Sequence, residues 1–211
     1  MPYQPKDIVT TRAELRDVHP HMHPSQPGKV IDHIDAHCRA WIARSPFMMM
    51  ATYDASGRVD VSPKGDPPGF VKVLDAHTLA VPDRPGNHRF DGFQNIFETG
   101  RIGLVFLVPN RNEVVRVNGR AVVVRDMDLR AQMAIKSRVP DFAVVVTVEE
   151  AFYHCGKAII RSGLWAPDKA ASIDGLPSYA QALMDHADTD LTLETMQERM
   201  AHNDANRLYD E

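Results

Sequence analysis

The feature that most constrains the fold is a series of short β-type segments that follow one another with few helices between them. Two of them, at 47–53 and 59–62, flank the turn signal Asp54-Ala55-Ser56-Gly57 and predict a β-hairpin. Further strands are predicted at 70–74, 78–81, 102–108, 114–125 and 142–152. A doubly wound parallel sheet needs a helix after nearly every strand, and this pattern does not supply one. We therefore expect a mainly β, α+β chain built on an antiparallel barrel with short inserted helices.

Helical segments are predicted around and inside this β region. Residues 1–29 form a mostly irregular arm with one short helix, because residues 11–14 have the spacing of a capping box. A helix at 30–45 has an apolar face, and a helix at 88–98 carries three phenylalanines on one face before Gly100 ends it. Other helices are predicted at 128–135, 156–162, 177–188 and 191–202, and the polar stretch 202–211 is expected to fray.

Composition and charge indicate a globular protein rather than a nucleic-acid or membrane binder. The 211 residues are 44% hydrophobic and 25% charged, which suits one domain with a helical extension. A net charge of −4 argues against a large basic surface for nucleic acids or anionic membranes. No stretch has the roughly 18–20 apolar residues that span a bilayer, and the first ten residues lack the apolar core of a signal peptide. Two cysteines without a metal-type spacing suit a reducing compartment, so we expect a cytoplasmic location.

Neither the cysteines nor the histidines predict a metal site or a catalytic dyad. Cys38 lies on the apolar face of the helix at 30–45 and is interpreted as a small core residue. His154 and Cys155 are neighbours on a strand, so their side chains point to opposite faces. Three histidines at 19–23 lie in a proline-rich loop, where they would hold a metal only weakly without further ligands. The motifs of serine hydrolases, zinc proteases and nucleotide-binding loops are absent from the sequence, so no catalytic side chain is assigned.

Two clusters of polar residues lie at predicted strands, one at the end of the second strand and one inside the strand at 114–125. The first, Ser62-Pro63-Lys64-Gly65-Asp66-Pro67-Pro68-Gly69, combines one cation with a rigid loop that leaves backbone groups exposed. Its prolines and glycines alone would also explain it as a tight connection. The other, Arg116-Val117-Asn118-Gly119-Arg120, places its two arginines and its asparagine on one strand face, with a bulge predicted at its glycine. An outward polar strand face explains this alternation as well.

Between them in the chain, Pro82-Asp83-Arg84-Pro85-Gly86-Asn87-His88-Arg89 has the composition of an anion-binding loop. It carries two arginines next to the start of a helix, and Asn87 is expected to cap that helix. The N-terminus of a helix repels cations, so arginines there favour an anion, typically a phosphate, held between them and the backbone N–H groups. The alternative is that the arginines pair with Asp83, Asp91 or another carboxylate on the surface.

In this order the clusters resemble those of flavin-binding split-barrel proteins related to pyridoxamine 5′-phosphate oxidase, and most of all a bacterial subgroup of that superfamily. The motifs that carry the resemblance lie at 62–71, 83–89, 95–96 and 116–120. The resemblance implies an FMN-binding antiparallel split β-barrel at 30–167, between an N-terminal arm (1–29) and a helical C-terminal extension (168–211). It also implies a homodimer with FMN in a cleft shared by two subunits, acting as an FMN-dependent oxidoreductase on a small molecule.

The same resemblance implies which residues bind the cofactor. Lys64, next to Ser62, would approach the flavin or its phosphate from the second strand. The loop would hold the phosphate through its polar side chains: Asp83, Arg84, Asn87 and Arg89. Arg116 and Asn118 would face the cofactor from their strand, with Arg116 as the candidate cation near the flavin ring. The remaining candidates are Asn95 and, reaching towards the partner subunit's flavin, Arg161 and Trp165. Core or interface packing is the other interpretation of this tryptophan.

Two departures separate the chain from the oxidase itself. Val59 stands where the oxidase has an arginine, five places before its lysine. The oxidase's C-terminal arginine-containing substrate motif has no counterpart at 206–209. The substrate is therefore left open, and so are three rival functions on the same barrel. These are a non-catalytic flavin or haem binder, a deazaflavin-dependent reductase, and a dimerisation module without a ligand.

Overall fold

The computed structural model describes residues 1–210 and contains a seven-stranded antiparallel sheet. The strands lie in the order β2-β1-β5-β6-β7-β4-β3. Their bounds are Phe47–Tyr53 (β1), Val59–Gly65 (β2), Lys72–Val73 (β3), Thr78–Pro82 (β4), Arg101–Leu107 (β5), Val114–Val124 (β6) and Ala143–His154 (β7). Residues of β1 and of β4, which lie towards opposite ends of the sheet, pack in the same core, so the sheet closes around it. The predicted fold class, an α+β antiparallel split barrel with inserted helices, is confirmed.

Most helices lie before and after the barrel strands rather than between them. Their bounds are Arg12–Val18 (α1), Ser25–Gly28 (α2), Ala36–Ile42 (α3), Asp91–Thr99 (α4), Met127–Ala131 (α5), Lys157–Ser162 (α6), Tyr179–His186 (α7) and Leu193–Asn206 (α8). The capping box predicted for α1 is present. The side chain of Thr11 accepts a hydrogen bond from the N–H of Glu14, and the side chain of Glu14 accepts one from the N–H of Thr11. Two helices, α4 and α5, interrupt the run of strands, as the sequence predicts.

Alternate residues of the central strands form the apolar core. Met48 and Met50 of β1 and Leu104 and Phe106 of β5 are at most 2% exposed, and each such burial stabilises the fold by about 1.5–3 kcal/mol. Trp41 of α3 packs on the same core, and its Nε1 donates a hydrogen bond to the carbonyl oxygen of Phe106 at 3.1 Å. The inner face of these central strands is therefore mainly apolar, while the residues between these positions point outward.

Two helices begin later than the sequence predicts. The helix expected at 30–45 begins at Ala36, because Asp35 caps it by accepting a hydrogen bond from the N–H of Cys38. The helix expected at 88–98 begins at Asp91, because the preceding Phe90 has a left-handed backbone with φ of 55°. The expectation that Asn87 caps this helix is wrong. Its Oδ1 instead accepts a hydrogen bond from the N–H of Arg89. The residue that precedes α4 is Phe90, three positions after Asn87.

Three local predictions can be compared directly with the strands. The bulge predicted at Gly119 is confirmed by a register shift between Asn118 and Gly119 in the pairing of β6 with β7. Gly100 ends α4 in a left-handed conformation, as predicted. The strand expected at 70–74 is shorter than predicted, with only Lys72–Val73 in the sheet, because the residues before it turn into the core instead of pairing.

The interpretation of Cys38 as a core residue is confirmed. Its side chain is 2% exposed. Burial raises the pKa of the Cys38 thiol to about 12, and the neighbouring Asp35 carboxylate adds to this effect. Cys155 is exposed, and the structure shows both thiols free. A thiol with so high a pKa is a poor nucleophile.

The C-terminal segments form the predicted helices, with α8 longer than expected. It continues to Asn206, where the sequence predicts an end near 202 and fraying beyond it. The residues after it are not loose either, because Tyr209 and Asp210 contact the barrel domain. None of the helices in residues 1–210 is long and apolar enough to cross a membrane. The division into an arm, a barrel domain and an extension at 30 and 167 stays a prediction.

Candidate functional site

A cavity of about 680 Å³ lies where β2, the loop at 83–90 and the start of α4 meet. Six of the predicted binding residues line it: Ser62, Lys64, Asp83, Arg84, Asn87 and Arg89. Ser62 pairs with Met50 and Lys64 with Met48, so both lie on the inner face of the sheet next to the core. The Ser62–Gly69 cluster and the loop therefore contribute to one site, although a whole hairpin turn and strand separate them in the chain.

Lys64 is the cation of this cavity that has no counter-ion among residues 1–210. The residue is half-buried in β2. Within the described part of the chain, no hydrogen bond or ion pair engages its ammonium group. A cation in this state gains most from a ligand that brings its own negative charge.

Arg84 is held firmly by its surroundings. Its Nε donates to Oδ2 of Asp66 at 2.6 Å, and its Nη2 donates to the carbonyl oxygen of Met133 at 2.8 Å. The side chain of Asp66 is fully buried and that of Arg84 is 16% exposed. A guanidinium has five N–H donors, so these two bonds leave three of them for a ligand. Sequence reasoning placed Asp66 only in a tight loop and missed it as the partner of Arg84.

Arg89 is placed differently, on the exposed rim of the cavity. Its Nε donates to Oδ2 of Asp91 at 2.7 Å, and its side chain is 69% exposed. That hydrogen bond lowers the pKa of Asp91, which occupies the first turn of α4. Both arginines of the loop thus pair with carboxylates, which is the alternative left open by the sequence, and both still have unengaged N–H donors. No side chain caps the N-terminus of α4, so its first backbone N–H groups also remain for a ligand.

The loop before α4 has a strained backbone and an aromatic wall. His88 and Phe90 both have φ of 55°, a left-handed conformation that is unusual for residues with large side chains. The ring of Phe90 stacks on that of His88 at 5.9 Å and on that of Phe93 at 5.6 Å. Phe142 meets Phe93 edge-on at 5.8 Å. The sequence indicated Phe90 and Phe93 only as the apolar face of a helix, and it gave no signal that Phe142 lines the same cavity.

The Arg116–Arg120 cluster lies elsewhere. Asn118 donates from Nδ2 to Oε2 of Glu150 at 2.9 Å, and the guanidinium of Arg116 lies 5.0 Å from the ring centre of Phe152. Neither residue lines the cavity. Register explains why: Arg116 lies opposite Val105, which lies opposite Met49, and this row is on the outer face of the sheet. Lys64 is on the inner face, so one protomer cannot bring these groups together.

The other predicted residues are also outside the cavity. Asn95 is buried in α4 and donates from Nδ2 to Oγ1 of Thr52 at 3.0 Å. Trp165 donates from Nε1 to the carbonyl oxygen of Arg111 at 2.7 Å. Arg161 lies exposed on α6. Whether these side chains bind a cofactor stays a prediction.

Next to Arg116 and Asn118, the outer face of the sheet exposes large apolar side chains. These are Phe47, Met49 and Tyr53 of β1 and Val59 and Val61 of β2. Asn118 continues this surface, because it lies opposite Gly103 and a Cβ added there would stand 3.3 Å from its Oδ1. We call these five residues of β1 and β2 the outer apolar face. Contiguous apolar surfaces of this kind on soluble proteins mark interaction sites.

Comparison with solved structures finds proteins that are similar to part of this chain. Among solved structures, HupZ of Group A Streptococcus matches at 22% identity over 57% of this chain and 93% of its own, with a TM-score of 0.45. A protein of Lactobacillus delbrueckii described as a candidate pyridoxamine 5′-phosphate oxidase matches at 25% identity over 58% of this chain and 95% of its own, with a TM-score of 0.45. An FMN-binding protein of Syntrophomonas wolfei matches at 12% identity over 55% and 82%, with a TM-score of 0.44.

The family is decided by a match at the level of sequence. A search of curated proteins found no relative. The family model described as pyridoxamine 5′-phosphate oxidase matches residues 34–155, which is more than half of the chain and includes every strand of the barrel. The protein belongs to the pyridoxamine 5′-phosphate oxidase family.

Proposed function

We propose that the protein is an FMN-dependent oxidoreductase whose cavity between β2 and the loop at 83–90 holds the phosphate of FMN. The observation that carries this proposal is the half-buried ammonium of Lys64, which has no counter-ion among residues 1–210. It lines a cavity of about 680 Å³, a volume within the range of sites for ligands of this size. The family match and the FMN-binding relative in the comparisons point to the same cofactor.

The residues of the cavity fit a phosphate group. Arg84 and Arg89 are each neutralised by an aspartate, which fixes the guanidinium but leaves N–H donors unengaged. Lys64 adds a positive charge that no carboxylate among residues 1–210 pairs with, and the uncapped start of α4 supplies backbone N–H groups. Aspartates also line the cavity, so in this proposal the phosphate lies on the side of the cations; these aspartates are Asp60, Asp83, Asp91 and Asp141. The phenylalanines of the wall offer an apolar surface at the other side of the same cavity. A phosphate attached to a large planar ring matches this division into a polar and an aromatic half.

In this proposal FMN supplies the hydride or electron chemistry, and the protein binds and orients it. Lys64, Arg84 and Arg89 hold the phosphate, and the aromatic wall limits access of water to the site. No side chain of the chain is assigned as an acid or base. Residues 30–167 are the FMN-binding unit in this proposal, and the substrate is a small molecule.

The site also requires a second copy of the chain. Arg116 and Asn118 lie on the outer face of the sheet and Lys64 on the inner face, so they can serve one cofactor only across two subunits. The outer apolar face lies beside them and is 39–66% exposed in the isolated chain. We propose that two copies pack through this face as a homodimer. Arg116, Asn118, Arg161 and Trp165 would then act on the partner's cavity.

The homodimer predicts a specific effect of a charge on this face. Met49→Glu, in the middle of the outer apolar face, is expected to convert a dimer into monomers, because a carboxylate would be buried without a partner. Sedimentation equilibrium at micromolar concentration measures the mass. Leu15→Glu, at an apolar position on α1 that is also exposed, is the control and is expected to leave the dimer intact. A wild-type protein that sediments as a monomer would contradict the proposal.

The cofactor is tested by identifying what the purified protein carries. Mass spectrometry of the ligand released on denaturation is expected to find FMN, and the native protein is expected to be yellow and to lose its colour with dithionite or NAD(P)H. A Soret band would identify a haem protein, and retention of a deazaflavin but not FMN would identify a deazaflavin-dependent reductase. Bound FMN that neither dithionite nor NAD(P)H reduces would identify a non-catalytic flavin binder. Protein that takes up none of these on reconstitution would favour a dimerisation module.

Lys64 allows a sharper test of the phosphate position. Lys64→Met is expected to weaken FMN binding by about 1.5–3 kcal/mol, the usual value of a hydrogen bond to a charged group. Binding of riboflavin, which has no phosphate, is expected to change little. Flavin fluorescence titration of the apoprotein measures both affinities, with Lys6→Met in the N-terminal arm as the control. If Lys64→Met weakened riboflavin and FMN equally, the phosphate would not lie at Lys64.

A further inference from the structure

The segment after α8 reaches back to the cavity through a buried carboxylate. The hydroxyl of Tyr209 donates to Oδ1 of Asp66 at 2.8 Å, while Oδ2 of the same carboxylate accepts from Arg84. The guanidinium of Arg84 also lies 5.9 Å from the centre of the Tyr209 ring. Arg84 therefore lies between the cavity on one side and Tyr209 on the other, and Asp66 joins them.

A second set of contacts holds this segment in place. Oδ1 of Asp210 pairs with Nε of Arg138 at 2.6 Å, and the ammonium of Lys136 lies 5.8 Å from the ring centre of Tyr209. Lys136 and Ser137 have left-handed backbones, which form the tight turn that brings Ile135 opposite Arg138. Arg84 bonds the carbonyl of Met133 just before this turn. The turn, Arg84 and the segment 207–210 are thus one connected network.

The network gives Tyr209 a defined electrostatic role. The Asp66 carboxylate is fully buried, so each of its oxygens needs a donor. The hydroxyl of Tyr209 donates to one of these oxygens, and this hydrogen bond, with a contribution from burial, raises the pKa of Tyr209. With Tyr209 on Oδ1, Arg84 is confined to Oδ2. That geometry uses only Nε of Arg84 for Asp66 and leaves the terminal nitrogens for Met133 and the cavity.

We propose that Tyr209 is a positioning residue of the phosphate site, acting through Asp66 to aim the guanidinium of Arg84 at the ligand. This inference rests on the proposed FMN-binding function and adds the C-terminal extension to it. The family-model match ends at residue 155, so the extension supplies a part of the site that lies outside the matched region. Without the hydroxyl, Oδ1 of Asp66 competes for the terminal nitrogens of Arg84, and fewer N–H donors remain for the phosphate.

The test compares FMN with riboflavin in Tyr209→Phe. FMN is expected to bind on the order of tenfold more weakly than in the wild type, the size of effect seen when an outer supporting hydrogen bond is lost at a ligand site. Riboflavin affinity is expected to be unchanged, because the variant alters only the aim of Arg84. Tyr3→Phe is the control, since Tyr3 is 85% exposed in the N-terminal arm and lines none of the cavities beside the loop at 83–90. Equal weakening of FMN and riboflavin would show a general structural role and overturn the inference.

A second readout does not depend on any flavin. Amide hydrogen exchange of the apoprotein is expected to become faster in the loop at 83–90 and at 133–140 in Tyr209→Phe, with the barrel strands unchanged. If the wild type binds neither FMN nor riboflavin, the proposed function fails, and faster exchange in these two segments still supports the role of Tyr209 in positioning Arg84. Unchanged exchange together with an unchanged ratio of FMN to riboflavin affinity would overturn it.

Discussion

Arg84→Met is expected to lower the free energy of unfolding by about 3–5 kcal/mol, because it leaves a buried carboxylate without its counter-ion. The side chain of Asp66 is fully buried, and Arg84 Nε lies 2.6 Å from its Oδ2. Tyr209 remains as a neutral donor to the other oxygen, and one such hydrogen bond does not compensate a buried charge. Urea unfolding of the apoprotein at pH 7, followed by circular dichroism, measures the loss.

Two further variants separate the buried charge from other causes. Asp66→Asn combined with Arg84→Met is expected to recover more than half of the lost stability, because it removes the buried negative charge that Arg84→Met leaves without a counter-ion. Arg89→Met is expected to change stability by no more than about 0.5 kcal/mol, since its pair with Asp91 is at the surface. Equal stabilities of Arg84→Met and Arg89→Met would show that the Asp66–Arg84 pair does not support the fold.

Gly119→Ala is expected to destabilise the barrel by at least about 3 kcal/mol, at the upper end of the cost of overpacking. A Cβ at this position would overlap the carbonyl oxygen of Thr147. It would also stand 3.2 Å from the backbone nitrogen of Glu149. These are backbone atoms of β7, so they cannot move aside as a side chain would. The pairing of β6 with β7 must therefore shift at the bulge.

Thermal and urea unfolding measure this effect, and Gly28→Ala is the control. Nothing lies within 4 Å of a Cβ at Gly28, so that variant is expected to be as stable as the wild type or slightly more stable. Because the bulge sets the register of Asn118, Gly119→Ala is also expected to disturb the outer face on which Asn118 lies. A Gly119→Ala protein with wild-type stability would mean that the strands separate there more easily than the structure indicates.

The strands could be predicted from sequence because their signals are local. Alternation, the turn Asp54–Gly57 and the lone glycine at 119 each act within a few residues, and the hairpin and the bulge followed from them. The start of α4 could not be predicted in the same way. The left-handed backbone of Phe90 goes together with contacts of its ring with Phe93 and the distant Phe142, which no local propensity encodes.

Several residues of the site could be predicted from the sequence, but their hydrogen-bond partners could not. The loop around Arg84 and the lysine of β2 could be found because charge and turn residues are concentrated there. The partners of Arg84 could not, because Asp66 lies 18 residues away and Tyr209 is 143 residues from Asp66. Arg116 and Asn118 lie on the other face of the sheet, so the cofactor role proposed for them requires a second chain, whose position one sequence does not describe.

The left-handed backbone of Phe90 implies a conflict between stability and ligand binding. A residue with a side chain in this conformation costs on the order of 1–3 kcal/mol, and glycine at the same position would avoid most of it. Glycine would also remove the ring that stacks on His88 and Phe93. Glycine at position 90 would therefore relax the backbone and remove part of the aromatic wall together, so stability and the shape of the cavity place opposite demands on this position.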